Sequence, residues 1–447
     1  HNLKIGAMYE QTFLDENDHL GIVDSGFLPS LTDANGDPCF VNGVALDAPC
    51  TTLLPYDLTR GGGIFGFLGH TDVKELALYV QDQMSVGNWN FNVGLRGDFY
   101  NGLTRHKEAE PRLGIAYNIK RTGTVLQVSY ARLLETPFNE NLIVSSVGCG
   151  NDVLNPLLGC AAIGTNPVSP GWRNEFHAGL EQAFGKYLVF SGEYVWKYTH
   201  NAYDFSILGN TPIFFPVAWD RSKIPGFAGR VSVPNFHGFT ALVVFSSVAA
   251  RFFQPQVSGA GATPGAPVVF RIDHDEKFNQ TTHLQYQPWQ RGPWMGFNWR
   301  FDSGLVAGAV PFATSADPND PGNTVDLTVL SADQQMQAGL FCGSQRPTLT
   351  QPLTTCPGAQ YGSTLVSIPA PGTENDDHNP PRISPRSLFD ISVGHDNLFH
   401  GDKYQWSAQL TAINIANKTA LYNFLSTFSG THYVTPRSLT AQIGFHF

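Results

Sequence analysis

Few side chains in this 447-residue sequence are spaced for bond-making chemistry. The glycines Gly61–Gly63 lack a following Gly-Lys-Ser/Thr, so no lysine is placed to reach a phosphate and the run reads as a flexible loop. Neither a nucleophile-elbow serine motif, nor a His-Glu-x-x-His zinc motif, nor a calcium-loop spacing occurs. No catalytic or cofactor-binding residue is therefore assigned, and the sequence reads as that of a non-enzyme. Asp273, His274, Asp275 and Glu276 do crowd four titratable side chains together. Carboxylate oxygens so concentrated can take a divalent cation, which makes Asp273, Asp275 and Glu276 the metal candidates beside a plain solvated junction. His177, His283 and His446 fall on the polar face of alternating segments, where they suit hydrogen bonding better than metal binding. Asn417-Lys418-Thr419 fits a glycosylation sequon and reads as coincidence. Phe214, Phe215 and Trp219 sit together where aromatic faces could stack on a sugar.

The six cysteines give a firmer chemical signal. Cys39 and Cys50, Cys149 and Cys160, and Cys342 and Cys356 are close pairs, each in a stretch without strand character. No C-x-x-C spacing is present, which disfavours zinc. Disulfides within each pair, formed in an oxidising compartment, are the expectation.

The elements carrying these residues are strands. Charged residues make up 14% of the chain, against roughly 25% in ordinary soluble domains, while Gly (45), Pro (30) and Phe (32) are plentiful. The longest apolar stretch, 239–253, is interrupted by Thr240, Ser246, Ser247 and Arg251, too broken for a spanning helix. Net charge is −10, which disfavours nucleic acid as a partner.

Period-two alternation dominates instead. Trp89, Phe91, Val93, Leu95 and Phe99 alternate with Asn88, Asn90, Asn92, Arg96 and Asp98. Leu439, Ala441, Ile443, Phe445 and Phe447 do the same at the end of the chain. Such patterning predicts strands at about 3–14, 73–85, 88–101, 110–119, 123–133, 172–183, 187–204, 221–233, 238–252, 277–288, 293–304, 386–396, 403–414 and 437–447. Several exceed the usual five or six residues and suit a wall whose tilted strands need roughly 9–11 to cross hydrocarbon.

Connections alternate between tight turns (86–87, 120–122, 184–186, 234–237, 289–292, 397–402) and long excursions (about 15–72, 102–109, 134–171, 205–220, 253–276, 305–385 and 415–436). The expected fold is all-β, an antiparallel transmembrane β-barrel with short periplasmic turns and long extracellular loops. Trp and Tyr near strand ends fit two aromatic girdles. The first and sixth long connections are acidic, which suits a neutral glycan, or a ligand bridged by cations, better than an anionic one.

Several stretches then resemble TonB-dependent outer-membrane receptors. LALYVQDQMSVGNWNFNVGLRGDFY (76–100) is similar to the family's "Y-x-Q-D … G-L-R-x-D" hairpin. PRLGIAYNIKRTGTVLQVSYARLLETP (111–137) resembles the hairpin after it, and Trp172–Tyr203 the next. IDHDEKFNQTTHLQYQ and WRFDSGLVAG resemble a later one, and Asn414, Asn417 and Phe447 the closing strands. The resemblance implies about fourteen strands of a larger, 22-stranded plugged barrel, so that residues 1–447 form a single partial barrel domain. About eight earlier strands, a plug and a TonB-contacting segment would then lie upstream. It also implies import energised by the inner-membrane TonB complex in the bacterial outer membrane, among lipid and lipopolysaccharide. Phe447 would be the terminal aromatic read by the outer-membrane assembly machinery. The long loops further suggest the large carbohydrate-type receptors with an extra N-terminal periplasmic domain. A passive outer-membrane channel and a surface adhesin barrel are the alternatives.

Overall fold

The computed structural model describes residues 1–447 apart from 161–164, 210, 263–264 and 428–429. Fourteen strands form its wall: β1 (Asn2–Leu20), β2 (Phe65–Val86), β3 (Trp89–Asn101), β4 (Arg105–Ile119), β5 (Thr124–Glu135), β6 (Gly171–Phe184), β7 (Leu188–Ile207), β8 (Phe214–Phe236), β9 (Phe239–Val248), β10 (Asn279–Tyr286), β11 (Pro293–Asp302), β12 (Arg386–His395), β13 (Gln405–Ile413) and β14 (Ser438–His446). Each is antiparallel to the next in chain order, so the wall is an uninterrupted meander. Every strand expected from alternation is present. Gly87, Gly123, Gly185 and Gly238 close four of the short turns with positive φ, a conformation that side chains with a Cβ rarely adopt.

Several strands run further than the alternation on the long-loop side. β1 runs on through Leu20, β2 begins at Phe65, and β8 begins at Phe214 rather than about 221. Residues 15–20 (Asp-Glu-Asn-Asp-His-Leu) have no apolar period, yet pair with 65–70 through the backbone. Beyond the hydrocarbon layer a ladder needs no lipid-facing side chains, so its sequence loses the signal. β9 is shorter than expected. At Ala249–Ala250 the chain leaves the wall, and Arg251–Ser258 pairs with β8 instead. The long connections are accordingly L1 (21–64), L2 (102–104), L3 (136–170), L4 (208–213), L5 (249–278), L6 (303–385) and L7 (414–437).

Register carries a single face across the whole wall. Arg96 pairs with Tyr79 and Glu110, Arg112 with Ala131, and Glu175 with Ala131 and Lys197. Followed through β10–β14, that face includes His283, Asn298, Asp390, Thr411 and Gln442. The opposite face carries Val93, Leu95, Val128, Phe176, Tyr194, Phe297, Ile391, Leu410 and Ile443. The first is lumen, the second lipid.

The buried apolar clusters involve the long connections. L6 and L7 share one, with Leu327, Leu340, Val366, Leu421 and Phe424. Within it the helix Ala332–Ala338 starts on a capping box made by Ser331 and Gln334, and ends at left-handed Gly339. L3 and L4 pack against the tops of β2 and β8 through Ile143, Val144, Leu154, Phe67 and Phe215. L1 closes a smaller lobe around Leu28, Phe40 and Leu53. One disulfide ties each of L1, L3 and L6: Cys39–Cys50, Cys149–Cys160 and Cys342–Cys356.

Candidate functional site

The lumen face holds a ladder of ion pairs on neighbouring strands. Arg96 (β3) lies 2.7 Å from Asp98 and 3.8 Å from Glu110 (β4), which also accepts from Arg112 at 3.0 Å. On β6 and β7, Glu175 receives Lys197 at 3.3 Å and His177 at 3.6 Å, and the other ring nitrogen of His177 faces Glu193 at 3.6 Å. Across the wall Arg300 meets Asp390 at 3.3 Å, and Arg386 meets Asp302 at 2.9 Å. His283 hydrogen-bonds Asn298 at 2.7 Å. His177, His283 and His446 thus share one face. They are spread over three distant strands, and among the described residues no group of three metal-type ligands assembles. Low on this face a recess of about 490 Å³ has a mixed lining, with the polar side chains Gln83, Asn90, Asn92, Gln127 and Ser129 beside apolar Met84, Phe91 and Ile115.

Over the lumen the connections interlock. Glu16, at the top of β1, accepts the backbone N–H groups of Ile143 and Val144 at 2.7 and 2.8 Å. Ser145 donates to the Pro216 carbonyl at the top of β8. L3 therefore reaches from the first strand of the wall to the eighth.

Asp273, Asp275 and Glu276 do not converge. Asp275, its side chain fully buried, accepts from the Arg382 guanidinium and, at 2.6 Å, from the Ala250 N–H; Arg271 approaches at 3.4 Å. Asp377 of L6 receives Arg251 at 2.7 Å and Arg271 at 3.1 Å. Glu276 accepts the Gly304 N–H at 3.1 Å. Asp273 turns toward L7, accepting from the Ser426 hydroxyl at 2.5 Å and the Thr427 N–H at 2.9 Å, with His274 at 2.5 Å. Burial pushes the Asp273 carboxyl up, but hydrogen bonds from His274 and Ser426, the imidazole's charge and the Thr427 N–H outweigh it and hold the group below its ordinary value. The hydrogen bond to Asp273 raises His274 above its ordinary value, against an opposing burial effect. The cluster is a joint between loops.

Phe214, Phe215 and Trp219 lie in β8 and not in a loop. Phe215 is buried beneath L3. The Trp219 indole donates to Asp204 at 3.2 Å, and its ring meets Phe270 edge-on at 4.9 Å. At the L7 neck, Asn414 spans the Lys418 and Thr435 carbonyls at 2.9 and 3.0 Å, while Asn417 accepts the Arg437 N–H at 3.1 Å. The loop-root arginines and Glu16 went unread in the sequence, since Asp275 and Arg382 are 107 residues apart and Glu16 and Ile143 are 127 apart. Arginines set among the acidic residues of L5 and L6 were the one available hint.

A lipid-facing band, a charged lumen, tight turns on one rim and disulfide-tied loops on the other are the layout of an outer-membrane β-barrel. Within that class, part of the chain is similar to the barrel of TonB-dependent receptors. Residues 44–167 match the family model described as TonB dependent receptor-like, beta-barrel. Among solved structures, the ferric-catecholate import receptor Fiu from K12 E. coli superposes with a TM-score of 0.53 at 11% identity, covering 100% of this chain and 52% of that one. The ferripyoverdine receptor of the Pseudomonas aeruginosa outer membrane gives 0.53 at 13%, covering 99% and 45%. The FrpB iron transporter from Neisseria meningitidis gives 0.52 at 12%, covering 98% and 53%. The chain spans about half the length of these structures. No curated protein sequence matches it significantly.

Proposed function

We propose that residues 1–447 supply the C-terminal barrel wall and outer loops of an importer energised through the inner-membrane TonB complex. The observation that carries this reading is the pair of wall edges. β1 and β14 each hydrogen-bond to one neighbour only, and a row of unpaired backbone groups in lipid costs several kcal/mol per group. Further strands of the same polypeptide, with a plug inside them, would cover both edges and meet the polar lumen face. The acidic L1 and L6 favour a neutral glycan, or a ligand held through cations, over an anionic iron complex.

The test is uptake by cells carrying the intact polypeptide, with the inner-membrane motor active or inactivated. Loss of uptake on inactivation is the expected result. Uptake that continues unchanged would make the protein a passive channel and sink the proposal.

A further inference from the structure

Two neighbouring short turns present cations that no carboxylate among the described residues pairs with. The β4–β5 turn carries Lys120 and Arg121, and the β6–β7 turn carries Lys186, all exposed. The first turn abuts the end of β6 that leads into the second, because the Ala183 N–H donates to the Gly123 carbonyl at 2.8 Å and Gln182 donates to the Thr122 carbonyl at 2.7 Å. None of the three cations has a carboxylate partner among the described residues. The nearest carboxylate in sequence, Glu181, is on the lumen face of β6. Around the patch stand three exposed aromatic side chains, Phe184 (55%), Tyr187 (50%) and Phe236 (49%). Tyr187 packs edge-on against Phe236 at 5.7 Å, and the Lys186 ammonium lies 5.6 Å over the Tyr187 ring.

Another pair of short turns provides a contrast inside the same molecule. Arg291 in the β10–β11 turn and Lys403 in the β12–β13 turn lie among comparable aromatics, Trp289, Phe399 and Tyr404. There, however, two carboxylates, Asp396 and Asp402, sit in the β12–β13 turn itself, so the paired turns carry no net positive charge. Asp396 also ties the two turns together, accepting from Gln287 at 2.7 Å and Trp294 at 2.8 Å. The aromatic setting is shared, and the uncompensated charge is not.

We infer that the Lys120–Arg121–Lys186 patch is a docking site for the phosphate headgroup of an anionic phospholipid in the periplasmic leaflet. Aromatic rings of this kind settle at headgroup depth, and cations beside them meet the phosphates there. Three positive charges without a carboxylate partner among the described residues fit one or two anionic headgroups by charge. The inference rests on the reading that the short turns face the periplasm.

The test uses the intact polypeptide carrying residues 1–447, in detergent micelles doped with equal phosphatidylglycerol and phosphatidylcholine, with retained lipid counted by native mass spectrometry. Phosphatidylglycerol should be retained in preference to phosphatidylcholine, and the preference should fall about tenfold in K120Q/R121Q/K186Q. It should survive in R291Q/K403Q and return in K120R/K186R. Salt near 1 M, where the Debye length is about 3 Å, should abolish it, whereas inorganic phosphate at matched concentration should not displace the lipid. Heat-modified gel mobility checks that each variant is folded. Equal retention of both lipids by the wild type would overturn the inference, as would an equal loss in R291Q/K403Q. A barrel that retains no lipid of either kind would instead undermine the membrane-wall reading beneath it.

Discussion

Asp275→Ala should loosen the roots of L5 and L6 without unfolding the wall. The carboxylate is fully buried, and Arg382 and Arg271 beside it are only 8% and 9% exposed. Removing one partner from a buried ion pair costs about 3–5 kcal/mol, because the other charge is left without compensation. The same change orphans the Ala250 N–H, a loss of about 1–3 kcal/mol that overlaps the first. The expected local destabilisation is therefore about 3–5 kcal/mol, or about two to three and a half powers of ten in an opening equilibrium at about 1.4 kcal/mol per tenfold. Hydrogen exchange should report it at the amides of Ala250, Val306, Ala307 and Ile383, which bond to Asp275, Pro381 and Leu305 around the joint. Asp275→Leu combined with Arg382→Met should recover most of the loss, since an apolar pair of similar volume replaces a buried ion pair at little cost. The Ala250 N–H would stay unpaired, so recovery should stop about 1–3 kcal/mol short. Less than a tenfold rise in exchange at these four amides would refute the reasoning. So would a uniform rise through β3–β7, which would mean that the joint and the wall open together.

On the lipid face, Val93→Arg should cost roughly 2–4 kcal/mol if Val93 lies near the bilayer midplane, read by urea titration in vesicles; an unchanged midpoint would reverse the face assignment. Each disulfide closes a separation of 11 to 14 residues, so replacing a pair by Ala should destabilise its loop by about 3 kcal/mol on the chain-entropy model, seen as faster proteolysis of that loop alone. The Asp273–His274 joint should tie L5 to L7 most firmly between about pH 4 and 6.5. A carboxyl held below its ordinary 3.8 contributes fully above that value and is lost as pH falls through its lowered pKa, whereas a histidine raised above 6.5 contributes fully below 6.5 and is lost as pH rises through its elevated pKa. Protection of the Thr427 amide, corrected for intrinsic exchange, should fall on both sides of this window; a flat profile would dismiss the joint. Phe447 is 92% exposed and stacks on Phe445 at 6.1 Å. Deleting it should leave refolding into detergent intact but slow insertion in cells, as pulse-chase folding would measure; equal insertion would reduce it to a girdle residue.

The wall was legible in the sequence because lipid enforces a rule on every second residue. β3 and β14 could be read residue by residue for that reason. The rule lapses where the strands leave the bilayer, so the polar top of β1 and the start of β8 were read as loop. At the end of β9 the apolar run continues through Phe252 and Phe253 while the chain has already turned away. The turn is held by Asp275, distant in sequence, and no local pattern announces it. The disulfides were legible because each long loop concerned holds only two cysteines. The joints between loops were not, since Arg271, Arg382 and Glu16 find their partners only after folding has chosen which excursions lie side by side.

L6 is an 83-residue excursion from Asp302 to Arg386, two residues paired in register and joined by a 2.9 Å ion pair. Closing so long an insert costs the wall little more than closing a short one, because loop entropy grows only logarithmically with length. A neck of this kind resembles a graft junction, where one outer surface could be exchanged for another while the meander below stays intact. The shared cluster sets a condition on that exchange. Leu421 and Phe424 of L7 are packed into the L6 core, and Asp275 of L5 pairs with Arg382. A transplanted L6 would leave apolar side chains of one neighbour uncovered and a buried carboxylate of the other unmatched. The heritable unit on this face is therefore the trio L5, L6 and L7, and variation in any one should be accompanied by variation in the other two.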